Sequence, residues 1–271
     1  MENVVHLFLK IFTISATRYF VIAGIAFLLC YKILSNWLTK AKIQSRTAAN
    51  ADFYREILHS VQTTAILAVI ACLVLNTPLR NYTWVYSNLA DYPTWWIIVS
   101  LVLCLIIHDT YFYWMHRLLH HPKLFRHTHL LHHKSTNPSP WTSYSFHFFE
   151  AWTEGGVLLV IVFVLPVHTL TIALFTFTGF IINVYGHLGY EIVPKRFRKS
   201  PLFGLFNTSV HHNLHHKKFN GNYGLYFRVW DRLMRTEHTD YVKEFDRVQQ
   251  NRFGTQISDT NEPLATYQAV K

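Results

Sequence analysis

The chain has 271 residues, of which 51% are hydrophobic and 15% charged, with a mean hydropathy of +0.14. Soluble domains carry about 25% charged residues, so this composition excludes a disordered chain, a coiled coil and an ordinary soluble enzyme, and indicates a membrane protein. The net charge of +10 then belongs to cytoplasmic loops facing anionic lipid before it belongs to nucleic acid.

The first apolar run is Tyr19 to Leu34, broken only by Lys32 near its end. It lacks a small-residue cleavage site and reads as an anchor, not a cleaved leader. A second runs from Ile57 to Leu75 and is closed by Asn76-Thr77-Pro78. The third starts at Trp95-Trp96, an aromatic pair suited to the headgroup level, and reaches Ile107. Its 13 residues fall short of the roughly 20 needed to span, so the helix is expected to continue through Tyr111–Trp114. The fourth block, Val157 to Tyr185, is too long for one ordinary helix and is interrupted at Pro166-Val167-His168-Thr169. Because proline breaks a helix interior, it reads as two short helices in a hairpin. Four or five spans follow, an all-α membrane bundle with a histidine-rich cytoplasmic cap. Residues 1–100 form the N-terminal transmembrane region, 101–238 the catalytic part and 239–271 a polar tail.

Charge sets the orientation. Lys40, Lys42, Arg46 and Arg55 lie between the first two runs, only Arg80 between the next two, and a dozen Lys and Arg from Pro194 to Arg252. The positive-inside rule places the first loop, the histidine-rich segments and the C-terminus in the cytoplasm. Cys30, Cys72 and Cys104 sit inside apolar runs and fit neither a disulfide framework nor a thiolate zinc site.

Histidine is the anomaly, with 18 copies, 16 of them between His108 and His238. His116 and His120 form an HxxxH; His129, His132 and His133 form an HxxHH; His212, His215 and His216 repeat it; His187 stands between. At this composition a chance HxxHH is expected about 0.08 times in the chain, so two are not accidental. On a helix, positions i, i+3 and i+4 share a face, so each HxxHH can aim three imidazoles at one point. Clustered neutral imidazoles beside a membrane need partners, and metal ions supply them. Nine nitrogens exceed one tetrahedral site and suggest two metals, although imidazole alone does not choose between Fe, Cu, Ni and Zn. The Glu-x-x-His of carboxylate di-iron bundles occurs once, at Glu56–His59, and reads as a helix-start pair. No Gly-rich dinucleotide fingerprint and no Walker loop is present, so NAD(P)H would act through a separate reductase.

His108-Asp109-Thr110-Tyr111-Phe112-Tyr113-Trp114-Met115-His116-Arg117-Leu118-Leu119-His120-His121 resembles the first histidine box of the fatty acid hydroxylase/sterol desaturase superfamily. The likeness continues through His129–His133, through His147-Phe148-Phe149-Glu150 (Phe where the family has Pro), through Gly186–Glu191 and through His212–His216. Asn222-Tyr223-Gly224 and Trp230-Asp231-Arg232-Leu233 resemble its closing NYG…WDRLFGT segment, with Met234-Arg235-Thr236 lacking the usual glycine. The resemblance covers Leu101 to His238. It implies an integral-membrane, O2-dependent oxidase of lipids with a non-haem di-iron site. The two irons would be ligated by His116, His120, His129, His132, His133, His187, His212, His215 and His216. Electrons would come from a cytochrome or ferredoxin-type partner or another separate reductase. The substrate would be a sterol-like or fatty acyl lipid, either hydroxylated or desaturated. The endoplasmic reticulum is implied for a eukaryotic source, the inner or plasma membrane for a bacterial one.

Three carboxylates are further candidates. Asp109 would orient an imidazole or pair with Arg117, and Glu150 would hold a liganding histidine or relay a proton. Glu191, four after His187, would hold that residue or a metal if the segment is helical. His108 reads as a membrane-edge residue bonded to a neighbour, and His121, His127, His147, His168, His211 and His238 as solvent-side or structural. A metal transporter would place histidines at mid-membrane, and a membrane cytochrome would face paired axial histidines across spans. Here the histidines bunch at one edge.

Overall fold

The computed structural model describes residues 3–46 and 48–254. Four helices are long and apolar enough to cross a membrane. The first, α1 (Val4–Phe27), is capped by Asn3, whose side chain accepts the Val5 N–H at 2.9 Å, and runs on as a π-helical turn to Ile33. A short α2 (Ser35–Leu38) leads towards α3 (Asn50–Asn76), where the Asp52 carboxylate accepts the Ala49 N–H at 3.0 Å. Next comes α4 (Trp96–Leu119), which does carry Tyr111–Trp114 and the first histidines beyond its apolar part.

The long apolar block breaks where the proline requires it, into α7 (Phe148–Val164) and α8 (Thr169–Gly186). His147 and His168 cap their N-termini, accepting N–H bonds from Phe149 and Leu170. The turn between them is tied down: Val167–His168 (β2) pairs in parallel with Val85–Tyr86 (β1), and the Trp96 indole N–H donates to the Pro166 carbonyl at 2.9 Å. The loop after α3, the start of α4 and the α7–α8 turn therefore share one end of the bundle. At this end Val74, Cys104, Ile161 and Phe175 meet in a buried core. Ile25, Val102, Ile106 and Ile181 are exposed, as a lipid-facing surface requires.

The opposite end carries the cap: α5 (Pro122–Thr128), α6 (Leu130–His133), α9 (Ser209–Lys218), α10 (Val229–Leu233) and α11 (Tyr241–Phe253). The stretch read as a polar tail from residue 239 thus begins as a helix. Its Tyr241, Phe245 and Val248 are fully buried against Phe203, Val210 and Leu214, a face hidden in the sequence by the charged residues between them. Residues 255–271 of that tail lie outside the described residues.

The missing glycine of the closing segment has a backbone consequence. Arg235 sits at φ 57°, in the left-handed region, which costs a non-glycine residue roughly 1–2 kcal/mol. Arg235→Gly is expected to raise the thermal midpoint in detergent by about 2–4 °C. An unchanged or lower midpoint would show that the contacts of the arginine side chain outweigh the strain.

Candidate metal centre

All nine histidines of the boxes converge in the cap, in two groups. His116, His120, His129, His133 and His215 form one and His132, His187, His212 and His216 the other, with the nitrogens of each group within 4.8 Å of one another. The HxxHH motifs therefore do not aim three rings at one point. Positions i and i+4 (His129 with His133, His212 with His216) enter one group, and the i+3 residue enters the other. Helical geometry gives the reason: i+4 falls about 40° past i and i+3 about 60° short of it, so the third ring points roughly 100° away from the second. His116 and His120, also i and i+4, stay together.

The ring orientations are fixed from behind. The Nδ1–H of His116 donates to the Tyr223 carbonyl (2.9 Å), that of His132 to Ser145 (3.3 Å) and that of His187 to Asn183 (2.8 Å). Likewise His215 donates to the Gly221 carbonyl (2.7 Å) and His216 to that of Ser135 (3.0 Å). A carbonyl only accepts, so each of these rings keeps its proton on Nδ1 and a lone pair on Nε2. His129 Nδ1 donates to Glu150 Oε1 at 2.5 Å, with the same result.

The Nε2 atoms then face each other: His116 to His129 at 2.9 Å, His132 to His187 at 3.3 Å and His216 to His187 at 3.3 Å. Two lone pairs cannot hydrogen-bond. Burial, with the neighbouring imidazoles adding, holds His129, His132, His133, His212, His215 and His216 well below the ordinary imidazole range, and His187 down to about 4. Protonation therefore does not relieve the opposition, whereas a cation at the centre of each group does. The donor set fits two cations bound through neutral nitrogen.

The three candidate carboxylates separate. Glu150, fully buried at the start of α7, touches a cluster imidazole and also accepts the His147 N–H at 3.4 Å. Asp109 touches neither an imidazole nor Arg117. Its Oδ1 accepts the N–H groups of Leu225 (3.2 Å), Tyr226 (2.7 Å) and Phe227 (3.1 Å), so it acts on the cluster only through the loop that presents the Tyr223 carbonyl. Glu191 is not on a helix with His187, which ends α8. It accepts the Tyr185 hydroxyl at 2.9 Å and the Val210 N–H at 3.1 Å, tying the chain after α8 to the start of α9. The Glu56–His59 reading also fails: Glu56 accepts the Ser135 and Ser139 hydroxyls at 2.6 Å each, bracing the loop that holds His216. The braces that sequence reasoning missed are backbone carbonyls, which carry no side-chain signature. One had a signal: Asp231 of the WDR segment accepts the N–H groups of Tyr223 (2.8 Å) and Gly224 (2.7 Å), fixing the NYG turn. A Cβ at Gly224 would collide with the Phe227 carbonyl.

His108 bonds the Tyr226 hydroxyl at 2.8 Å, as a neighbour-bonded histidine should. His168 and His211 are buried, not solvent-side, and His211 Nε2 lies 3.9 Å from Asp231 and 4.0 Å from Glu237.

Between α1, α3, α4, α7 and α8 lies a cavity of about 750 Å³ with mostly apolar walls. Phe112 and Phe146 line it, and their rings stand 4.8 Å from His116 and 5.2 Å from His132. One aromatic layer thus separates the cavity from each imidazole group.

Residues 101–236 match the sequence model of the fatty acid hydroxylase family. Among curated proteins, the chain is 33% identical over 185 residues to a lathosterol oxidase of Rattus norvegicus, covering 66% of this chain and 59% of the relative. It is 32% identical over 181 residues to a Delta(7)-sterol 5(6)-desaturase of Schizosaccharomyces pombe (66% and 57%), and 28% identical over 181 residues to a lathosterol oxidase of Homo sapiens (66% and 59%). The match thus spans less than two thirds of each relative's length. No solved structure matches. With half its length on the family model and the histidine boxes within the matched stretch, the chain belongs to the fatty acid hydroxylase family.

Proposed function

We propose that the protein is a membrane-bound, O2-dependent, non-haem di-iron oxidoreductase that hydroxylates or desaturates a lipid, sterol-like before fatty acyl. The observation that carries this reading is the set of buried Nε2 lone pairs opposed at 2.9–3.3 Å, a geometry that calls for cations. Sterols are the substrates named for the relatives, and the cavity has the volume of a ligand pocket. Held by the two imidazole groups, two irons would supply what no side chain can, the activation of dioxygen for attack on an unactivated C–H bond. Desaturation takes two hydrogens from the lipid and two electrons with two protons from outside, and returns two waters. Hydroxylation returns the alcohol and one water from the same inputs. Both need a separate electron-donor protein.

The chain's own residues do the rest. Glu150 and the five carbonyls hold the imidazoles with Nε2 inward, and Phe112 and Phe146 form the apolar partition against which a C–H bond rests. The loop after α3 lies at the far end, poor in Lys and Arg, which supports a cytoplasmic cap. A cysteine introduced at Asn88 should therefore resist an impermeant reagent in sealed, cytoplasmic-side-out vesicles and react once they are permeabilised. Labelling in sealed vesicles would reverse the topology. The function itself is tested by metal analysis and Mössbauer spectroscopy of the purified protein, with product analysis after incubation with sterol, O2 and an electron donor. Two irons per chain and an oxidised lipid are expected; zinc in their place would overturn the reading.

A further inference from the structure

The two imidazole groups differ in their access to solvent. His132, His187, His212 and His216 are all buried, none above 5% exposure. Behind His132, His187 and His216 stand the carbonyls of Ser145, Asn183 and Ser135, the last on the loop braced by Glu56. Towards the apolar cavity the Phe146 ring lies 5.2 Å from His132, and an unpaired dication is strongly disfavoured in such a cavity. Inward, the neighbour of His216 is His133 of the other group, at 4.9 Å between ring centres.

The larger group has an opening. Of the nine rings, His120 alone is partly exposed. Two phenylalanines cover this edge. Phe125, half-buried on α5, has its ring 5.1 Å from His120 and 5.6 Å from His133. Phe219, 37% exposed, lies 5.1 Å from His133 and 6.3 Å from Phe125. Phe219 ends α9 at φ 63°, in the left-handed region that costs a residue with a Cβ, and its N–H donates to the His215 carbonyl at 2.8 Å. An outward turn of its half-exposed ring gives up contacts on one face only, and openings with few buried contacts to lose are the frequent ones. Lys217 before it, and Lys123 and Arg126 beside Phe125, are exposed, and no Asp or Glu occurs from residue 110 to 149 or from 192 to 230. Such a cationic rim attracts anionic ligands.

We infer that Phe219 and His120 form a port through which the five-imidazole group exchanges its ion with anionic chelators, while the four-imidazole group stays closed. This rests on the proposed function only for the presence of two resident ions. A fifth nitrogen strengthens binding at equilibrium, whereas release to a chelator is governed by access. The two positions, alike in donor chemistry, then differ in how long they hold an ion, and the outer one follows the metal supply.

Metal release tests it on the full-length, metal-loaded protein in detergent. Excess EDTA is added and the metal remaining on the protein is measured over time, for the wild type, F219A, F219L and H215A. The wild type should lose its ions in two phases of one ion each, the second about tenfold slower or more. F219A should speed the fast phase by about tenfold and leave the slow one unchanged, with F219L close to the wild type. In H215A the ion that is missing should be the fast one, since His215 belongs to the larger group. A single phase for both ions, or a fast phase that F219A does not change, would overturn the inference. An F219A that releases both ions together would make Phe219 a folding residue and overturn it too, as would an H215A that keeps the fast ion and lacks the slow one. Two phases in a protein that oxidises no lipid would sink the proposed function and leave this inference standing. Fewer than two ions per chain in the wild type would sink both.

Discussion

Replacing His132 or His215 by alanine is expected to abolish lipid oxidation and lower bound iron while leaving the protein in the membrane. The two variants strike the two groups separately, since His132 belongs to the four-imidazole set and His215 to the five. Each removes a nitrogen whose lone pair already faces a cation position, His132 opposite His187 at 3.3 Å and His215 opposite His133 at 3.0 Å. Losing a direct ligand should cost more than the 10–100-fold typical of an outer partner. The spans do not depend on either ring, so membrane fractionation should give normal yields. Metal analysis separates the cases further: His132→Ala should fall towards one iron per chain, because only three imidazoles remain in its group. Full activity in either variant would remove the shared-site reading.

Glu150→Ala is expected to reduce turnover or iron affinity by about 10–100-fold, with Glu150→Gln between it and the wild type. The carboxylate accepts the His129 Nδ1 proton at 2.5 Å from a fully buried position, which makes that imidazole a stronger donor on its other nitrogen. Glutamine keeps an acceptor at the same place without the charge. It also keeps the shape that caps α7, so a stable Glu150→Gln with weakened iron binding isolates the electronic effect from the structural one. Wild-type iron affinity and turnover in Glu150→Ala would show that the histidine needs no such support.

The spans were legible because each rests on a long apolar run, and the break at Pro166 because proline has one effect inside a helix. The nine histidines were legible as a set by spacing and composition. Their division into two groups was not, although the angles between i+3 and i+4 contain it, because the sequence does not say where the facing elements stand. Asp109 and Glu191 show the other limit: a carboxylate near a histidine in sequence went instead to backbone N–H groups brought from 116 residues away for Asp109 and 19 for Glu191. The α11 helix was missed because its buried face, Tyr241, Phe245 and Val248, is three residues in thirteen amid charge.

The imidazoles that meet in the cap come from stretches far apart in the chain, 82 residues between His133 and His215 and 55 between His132 and His187. An ion joining them is, in topological terms, a cross-link that closes long loops, and both loops contain α8. It could not form until α8 has folded and His216 has left the ribosome. On the proposed di-iron reading, insertion would precede loading, and loading would be a separate step in the life of the protein. A cell short of metal would accumulate chains whose spans are complete and whose cap is held by its carbonyl braces alone. Their turnover by membrane proteases would begin at the cap, the part whose stability the ion supplies.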